Sequence, residues 1–186
     1  MSSIQVAVVT GSNKGIGLAI VRALCKKFSG DVYLTARDTG RGQAAVAKLQ
    51  EEGLKPLFHQ LDINDLQSIQ TLRDFLKEKY GGLNVLVNNA GIAFKVDDPT
   101  PFHIQAEETL KTNFFATKDI CNELLPLIKP LGKLIMLCFL EHHPSPFVCV
   151  KRALVIKHCL VLCSAVFCIN PFPFILCCIL LILLLL

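Results

Sequence analysis

The chain has 186 residues and a mass of 20.5 kDa, of which 52% are hydrophobic and 18% charged. That length suits one domain, and that apolar content excludes a disordered chain. Its 11 glycines and 9 prolines follow no repeat, excluding collagen-like and low-complexity architectures, and a scattered net charge of +4 is too small to point to nucleic acid.

The first residues, Met1-Ser2-Ser3, lead straight into the β-branched apolar run Ile4–Thr10, without a basic region or a long apolar core ahead of it. The sequence thus carries no secretory signal pattern, and a cytoplasmic location with reduced thiols is expected. A glycine-rich stretch follows, then apolar residues at helical spacing from Ile16 to Phe28. Ser29-Gly30-Asp31 is a turn, and Val32–Ala36 is a second strand. A helix is predicted over Arg41–Glu52, closed by Gly53, then a third strand over Pro56–Leu61. Leu66, Ile69, Leu72, Phe75 and Leu76 share one helical face, which Gly81-Gly82 ends. Val85-Leu86-Val87 is a fourth strand. After a loop with Pro99 and Pro101 come a long helix, about Ile104–Leu125, and a fifth strand over Leu134–Leu137.

Short apolar runs alternating with helical segments predict an α/β fold. Continuous apolar strands indicate a buried parallel sheet, and the right-handed crossover rule makes a doubly wound, Rossmann-like sheet the expected topology. About five strands are accounted for, an incomplete sheet followed by a tail expected to be helical or irregular.

The composition breaks near Leu137. Up to that residue there are 16 Lys+Arg, 14 Asp+Glu and two cysteines, Cys25 and Cys121. From Cys138 onward there are seven cysteines and four charged residues, and none is charged from His158 to the end. The division expected is a dinucleotide-binding domain over 1–137 and a Cys-rich apolar tail over 138–186. Residues 159–186 admit two readings. One is a membrane anchor preceded by Lys151, Arg152 and Lys157. The other is an accidentally apolar stretch, because Asn170-Pro171-Phe172-Pro173 interrupts the run. The residues after Pro173 would span only about 20 Å of a ~30 Å hydrocarbon core. The tail cysteines, with His142-His143 nearby, match no structural zinc spacing, so no metal is expected. A fifth strand without successors would also leave an exposed sheet edge.

The chemistry-bearing residues cluster at strand ends. Gly11, Ser12, Asn13, Lys14, Gly15, Ile16 and Gly17 join the first strand to its helix. Glycines there allow a tight turn, and a helix N-terminus offers free N–H groups and a positive dipole to a pyrophosphate. Arg37 ends the second strand where an NAD-preferring site would carry an acid. Its planar guanidinium suits a 2′-phosphate, and Lys14 is placed to reach the same group, so NADPH is the expected cofactor. Each cation taken alone would read as a solvated surface residue. Asp62, just after the third strand, is placed for an adenine ring or, alternatively, serves as a turn or N-cap residue.

These residues, with Leu61-Asp62-Ile63, Asn88-Asn89-Ala90-Gly91 and Asn113 in the long helix, resemble the short-chain dehydrogenase/reductase family. Gly91-Ile92-Ala93-Phe94-Lys95-Val96, Thr100–Gln105 and Lys111-Thr112-Asn113-Phe114-Phe115 look like its monomeric NADPH-dependent carbonyl reductases, which reduce ketones, aldehydes and quinones. The resemblance implies that Ile63, Asn89, Ala90 and Gly91 line the cofactor and that Asn88 braces the central strands. It implies that Asn113 holds a water in a proton relay. Phe94, Lys95, Val96 and Gln105 would meet a small carbonyl substrate or a glutathione-type ligand, and the protein would be a monomer. Lys95 also reads as a free surface lysine.

The family reduces carbonyls with a Ser, a Tyr and a Lys four residues after the Tyr. Here the chain departs from the pattern. Tyr33 is followed four residues on by Arg37, Tyr80 by Asn84, and Phe139 stands where the serine would be. A truncated form without efficient turnover is therefore expected, with a non-catalytic NADP-binding or partner-binding role as the alternative.

Overall fold

The computed structural model describes residues 4–95, 97–139, 152–156 and 159–164. Five strands, β1 (Gln5–Val9), β2 (Gly30–Ala36), β3 (Leu57–Gln60), β4 (Leu83–Asn88) and β5 (Ile128–Phe139), lie parallel in the order β3-β2-β1-β4-β5. Helices α1 (Gly15–Lys27), α2 (Thr39–Glu51) and α3 (Leu66–Tyr80) are the crossovers.

Alternation along the strands sends side chains to two cores. Val6 and Val8 of β1 pack with Leu72 and Leu76 of α3 and with Ile120 and Leu124 further on, whereas Ala7 and Val9 pack with Ile20, Leu24 and Leu49 of α1 and α2. Both faces are thus covered, which is why every residue from Val6 to Val9 is apolar. The strand order reverses between β1 and β4, and in such sheets ligands bind at the carboxyl ends of the strands at this reversal.

The expected long helix is interrupted. α4 (Phe102–Leu110) passes through a π-helical turn at Lys111–Ala116 into α5 (Thr117–Leu124). The chain therefore gains a residue in the turn that contains Asn113, a distortion common at functional sites. β5 also begins earlier than expected. Pro130 and Gly132 suggest a loop, but Leu83 pairs with Ile128 and Val85 with Lys133, so the extra residues are absorbed in a bulge where Leu131 takes φ 67°.

Where the tail is described it forms strands, not the expected helix or irregular chain. β6 (Arg152–Ile156) and β7 (Cys159–Ser164) make an antiparallel pair, and β7 runs parallel beside β5. Short apolar runs take up the free hydrogen-bonding edge of β5, so the exposed edge expected there is covered by β7. Among the described residues no helix is long and apolar enough to cross a membrane; of the expected anchor over 159–186, residues 159–164 form β7 and the rest lies outside the described residues. The His142-His143 pair and Cys149, weighed for zinc, also lie outside the described residues.

Both tyrosines are buried between β2 and α3. Lys79 Nζ donates to Tyr33 Oη at 3.0 Å, the two tyrosine hydroxyls are 2.9 Å apart, and Tyr80 donates to Asp31. Edge-to-face contacts of Phe75 with Tyr33 and Tyr80, at 5.5 and 6.3 Å between ring centroids, complete the cluster. Burial, and then the bond to Asp31, push the Tyr80 hydroxyl well above its usual pKa. These hydroxyls bind α3 to β2.

Candidate functional site

A cleft of about 510 Å³ opens at the carboxyl ends of β1, β2 and β4. Gly11, Asn13, Lys14, Gly15, Ile16 and Gly17 form one wall, Arg37 and Asp62-Ile63 another, and Asn89-Ala90-Gly91 a third. Twelve of the thirteen residues assigned to the cofactor from sequence thus line one space. The exception is Ser12, which is fully buried beneath the turn.

The turn is built for close approach. Gly11 and Gly15 take φ of 59° and 58°, where a side chain is strained. A Cβ on Gly17 would lie 2.5 Å from Asn89 Nδ2 and 2.7 Å from the Ser12 Cα, so α1 presses directly against the turn and the segment that follows β4. A Cβ on Gly15 would meet nothing within 4 Å, because that residue faces open space.

α1 differs from its neighbours at its N-terminus. Asp38 caps α2 by accepting from Arg41 N at 2.7 Å, and Asp65 caps α3 by accepting from Gln67 N at 3.0 Å. The first bond also holds the Asp38 carboxyl below the usual carboxylate range. At α1 the N-cap is Lys14, without a side-chain cap bond and without an acid in the first turn. Its free N–H groups and dipole therefore face the cleft without a protein acceptor.

Lys14 and Arg37 both line this cleft, and neither has an acidic partner within ion-pair distance among the described residues. Two unneutralised cations beside an open helix N-terminus can hold an extended, multiply charged anion. Asp62 Oδ1 accepts from Asn64 N at 3.0 Å, while Asp65 provides the helix cap. Asp62 is thus the turn residue of the alternative reading and a cleft-lining residue at once.

The third wall is pinned from below. Thr10 Oγ1 accepts from Asn89 N and Ala90 N, each at 3.0 Å, and Asn89 Nδ2 donates to the carbonyls of Thr10 and Gly11, also at 3.0 Å. Asn88, expected to brace the central strands, stands opposite Met136 in the β4–β5 ladder and donates from Nδ2 to Cys121 Sγ at 3.4 Å, joining β4 to α5.

Asn113 does not line the cleft. Its Nδ2 donates to Ile92 O and its Oδ1 accepts from Ile92 N, both at 2.8 Å. The side chain is used in holding the chain after β4. Among the residues assigned to substrate, Phe94 is half-buried, Lys95 is exposed, and Val96 lies outside the described residues. Gln105 Nε2 donates to Thr100 O at 2.7 Å, fastening that loop onto α4. None of the described three lines the cleft. Sequence reasoning missed Glu108 and Thr112, which do. The signal for them was weak, since a π-turn shifts helical spacing without any marker residue.

The short chain dehydrogenase family profile matches residues 5–139. The chain belongs to this family. Carbonyl reductase (NADPH) 1 of Macaca fascicularis is 76% identical over 134 residues, covering 72% of this chain and 48% of that protein. Carbonyl reductase (NADPH) 3 of Mus musculus is 69% identical over 137 residues, covering 74% of this chain and 50% of that protein. The chain thus spans about half the length of these curated relatives. Among solved structures, a metagenomic short-chain oxidoreductase in complex with NADP superposes with a TM-score of 0.63 at 28% identity, over 76% of this chain and 65% of that one. Salutaridine reductase from Papaver somniferum gives 0.63 at 34% identity, over 71% and 56%. The short-chain dehydrogenase membership expected from the glycine turn and the Asn-Asn-Ala-Gly segment therefore holds, and so does the five-strand parallel sheet.

Proposed function

We propose that this short-chain dehydrogenase chain binds NADPH in the cleft and carries the cofactor half of a carbonyl reductase. The observation that supports this best is the joining, in one cleft, of the uncapped α1 N-terminus with the unpaired cations Lys14 and Arg37. The pyrophosphate would lie over Gly15 and the first turn of α1, the 2′-phosphate between Lys14 and Arg37, and the adenine near Asp62 and Ile63. Asn89, Ala90 and Gly91 would line the rest. Bound NADPH supplies a hydride for reducing a ketone, aldehyde or quinone. The relatives named for NADPH carbonyl reduction, and the NADP complex of a structural neighbour, support the same cofactor.

Reduction also needs a proton donor within hydrogen-bond reach of the carbonyl oxygen. Within these 186 residues the tyrosines are the two locked between β2 and α3, neither of which lines the cleft. We infer that the chain binds the cofactor without efficient turnover by itself. Quinone and aldehyde reduction should therefore be absent in an NADPH-consumption assay at saturating cofactor. Turnover at the rate of the full-length relatives would overturn this reading.

The cofactor assignment is tested by fluorescence titration of the full chain with NADPH and NADH. Tighter binding of NADPH is expected. Arg37→Glu, which replaces a phosphate partner with a repelling carboxylate, should weaken NADPH by about a hundredfold, on the order of two charge-assisted contacts at tenfold each, and leave NADH within about threefold. Equal binding of both cofactors by the unaltered chain would remove the 2′-phosphate assignment.

A further inference from the structure

Ser12 does not line the cleft, yet it is a fully buried polar residue immediately under the cofactor turn. Its partner is Thr35, also fully buried, near the end of β2. Ser12 N donates to Thr35 O at 2.8 Å, and Thr35 N donates back to Ser12 Oγ at 3.0 Å. Both hydroxyls then donate to one acceptor, Val9 O, Ser12 Oγ at 2.8 Å and Thr35 Oγ1 at 3.0 Å. The regular pairing of β1 with β2 ends at Val9 and Leu34. The Ser12 side chain therefore continues the ladder by one step into a turn that has already left the sheet, acting as the acceptor that a strand carbonyl would otherwise be.

Sequence spacing gives this staple its consequence. Lys14 lies two residues after Ser12, and Arg37 two residues after Thr35. The two cations stand on different elements, and the staple is the hydrogen-bonded link between those elements nearest to both. We propose that Ser12 and Thr35 are a positioning pair that fixes the separation of Lys14 from Arg37 and so sets the preference for a 2′-phosphorylated dinucleotide. The proposal rests on the NADPH reading above. A pyrophosphate depends on the turn and on α1 alone, because its donors all lie after Ser12. A phosphate shared between Lys14 and Arg37 depends on both elements and on their distance. Loosening the staple should thus affect the 2′-phosphate selectively, whereas a merely structural role would weaken every dinucleotide alike.

The test is equilibrium binding of NADP+ and NAD+ to the full chain by isothermal titration, with Ser12→Ala, Thr35→Val, Thr35→Ser and Arg37→Glu. Ser12→Ala should raise the NADP+ Kd about tenfold, the worth of one charge-assisted contact, and change the NAD+ Kd by less than about twofold. Thr35→Val keeps the shape and the backbone pair and should raise the NADP+ Kd about threefold, the effect of a weakened hydrogen bond. Thr35→Ser keeps the hydroxyl and should bind both ligands as the unaltered chain does. Amide exchange at Thr35 should speed up in Ser12→Ala. Ser12→Ala leaves a buried N–H without an acceptor, so thermal melting checks its fold, and if it is unfolded Thr35→Val decides by the same criterion. Parallel weakening of NADP+ and NAD+, or no change in either, overturns the proposal. If the unaltered chain prefers NADP+ and Arg37→Glu loses that preference while the staple variants keep it, the proposal alone falls. If the unaltered chain shows no preference, the NADPH reading falls and the proposal with it.

Discussion

Gly11→Ala should destabilise the chain by about 3 kcal/mol, whereas Gly15→Ala should cost about 1 kcal/mol and damage cofactor binding instead. The two glycines have nearly the same φ, 59° and 58°, so the backbone strain of adding a Cβ is the same at both, about 1–2 kcal/mol. Their surroundings differ. At Gly11 the new Cβ would stand 2.8 Å from both the Cα and the Cβ of Ala90. Ala90 cannot retreat freely, because its N–H is bonded to Thr10 Oγ1, and Gly11 cannot either, because its carbonyl is bonded to Asn89 Nδ2. Overpacking of this kind adds roughly 1–3 kcal/mol. At Gly15 the Cβ would enter open space over the cleft, where it would meet ligand instead of protein. Urea unfolding separates the two, with a lowered midpoint at unchanged slope for Gly11→Ala. NADPH titration should then show the larger loss of affinity, relative to fold stability, for Gly15→Ala. Equal midpoints for the two variants would mean that the turn moves away from Ala90 on substitution.

The pattern of apolar runs was enough to place the parallel strands and their crossovers, because a strand buried on both faces needs an unbroken run such as Val6–Val9. Its boundaries shifted by a few residues where hydrogen bonding continues past the apolar side chains, as at Gly30 and Asp31 in β2. β5 was harder to read. Pro130 and Gly132 normally argue against a strand, and only the pairing with β4 shows that a bulge accommodates them. The break of the long helix at Lys111–Ala116 has no sequence marker at all. A π-turn costs one hydrogen-bond register and needs no glycine or proline, so nothing in Lys-Thr-Asn-Phe-Phe-Ala announces it.

The candidate site was legible to the extent that its residues are consecutive. A glycine turn after a strand must face the ligand end of the sheet, and Arg37 and Asp62 follow strands that end on the same side. What sequence could not distinguish was lining from support. Ser12 and Asn113 stand within the motifs, yet their side chains bind backbone, Ser12 to Val9 and Asn113 to Ile92. Conversely, Glu108 carries no motif and Thr112 drew no role within its own, yet both line the cleft together with Gly91 and Ile92. The substrate residues are a similar case. Gln105 reads as a polar contact for a ligand, but its amide is engaged by Thr100 and by Asp98, whose carboxyl is in turn held below its usual pKa by the Thr100 hydroxyl and N–H.

Thr10→Val should cost about 2–4 kcal/mol and weaken NADPH binding, while Thr10→Ser should stay within about 1 kcal/mol of the unaltered chain. Valine matches threonine in shape, so no cavity is made and the lost methyl-for-hydroxyl exchange alone would be mild in an apolar site. The cost lies with the partners. Asn89 N and Ala90 N both donate to the Thr10 hydroxyl at 3.0 Å, and Thr10 is almost wholly buried. A valine leaves these two donors without an acceptor, and each orphaned buried donor costs roughly 1–3 kcal/mol. Two such donors would cost roughly 2–6 kcal/mol together, and because Ala90 is only partly buried, water can recover some of its share and the total falls in the lower half of that range. Because Asn89, Ala90 and Gly91 form one wall of the cleft, the same loss should appear in binding as well as in stability. Serine retains the oxygen and gives up only a methyl group. Urea unfolding and NADPH titration of both variants would be read together. A valine variant as stable as the serine variant would show that the two N–H groups find other acceptors, and that the third wall is held by the Asn89 side chain alone.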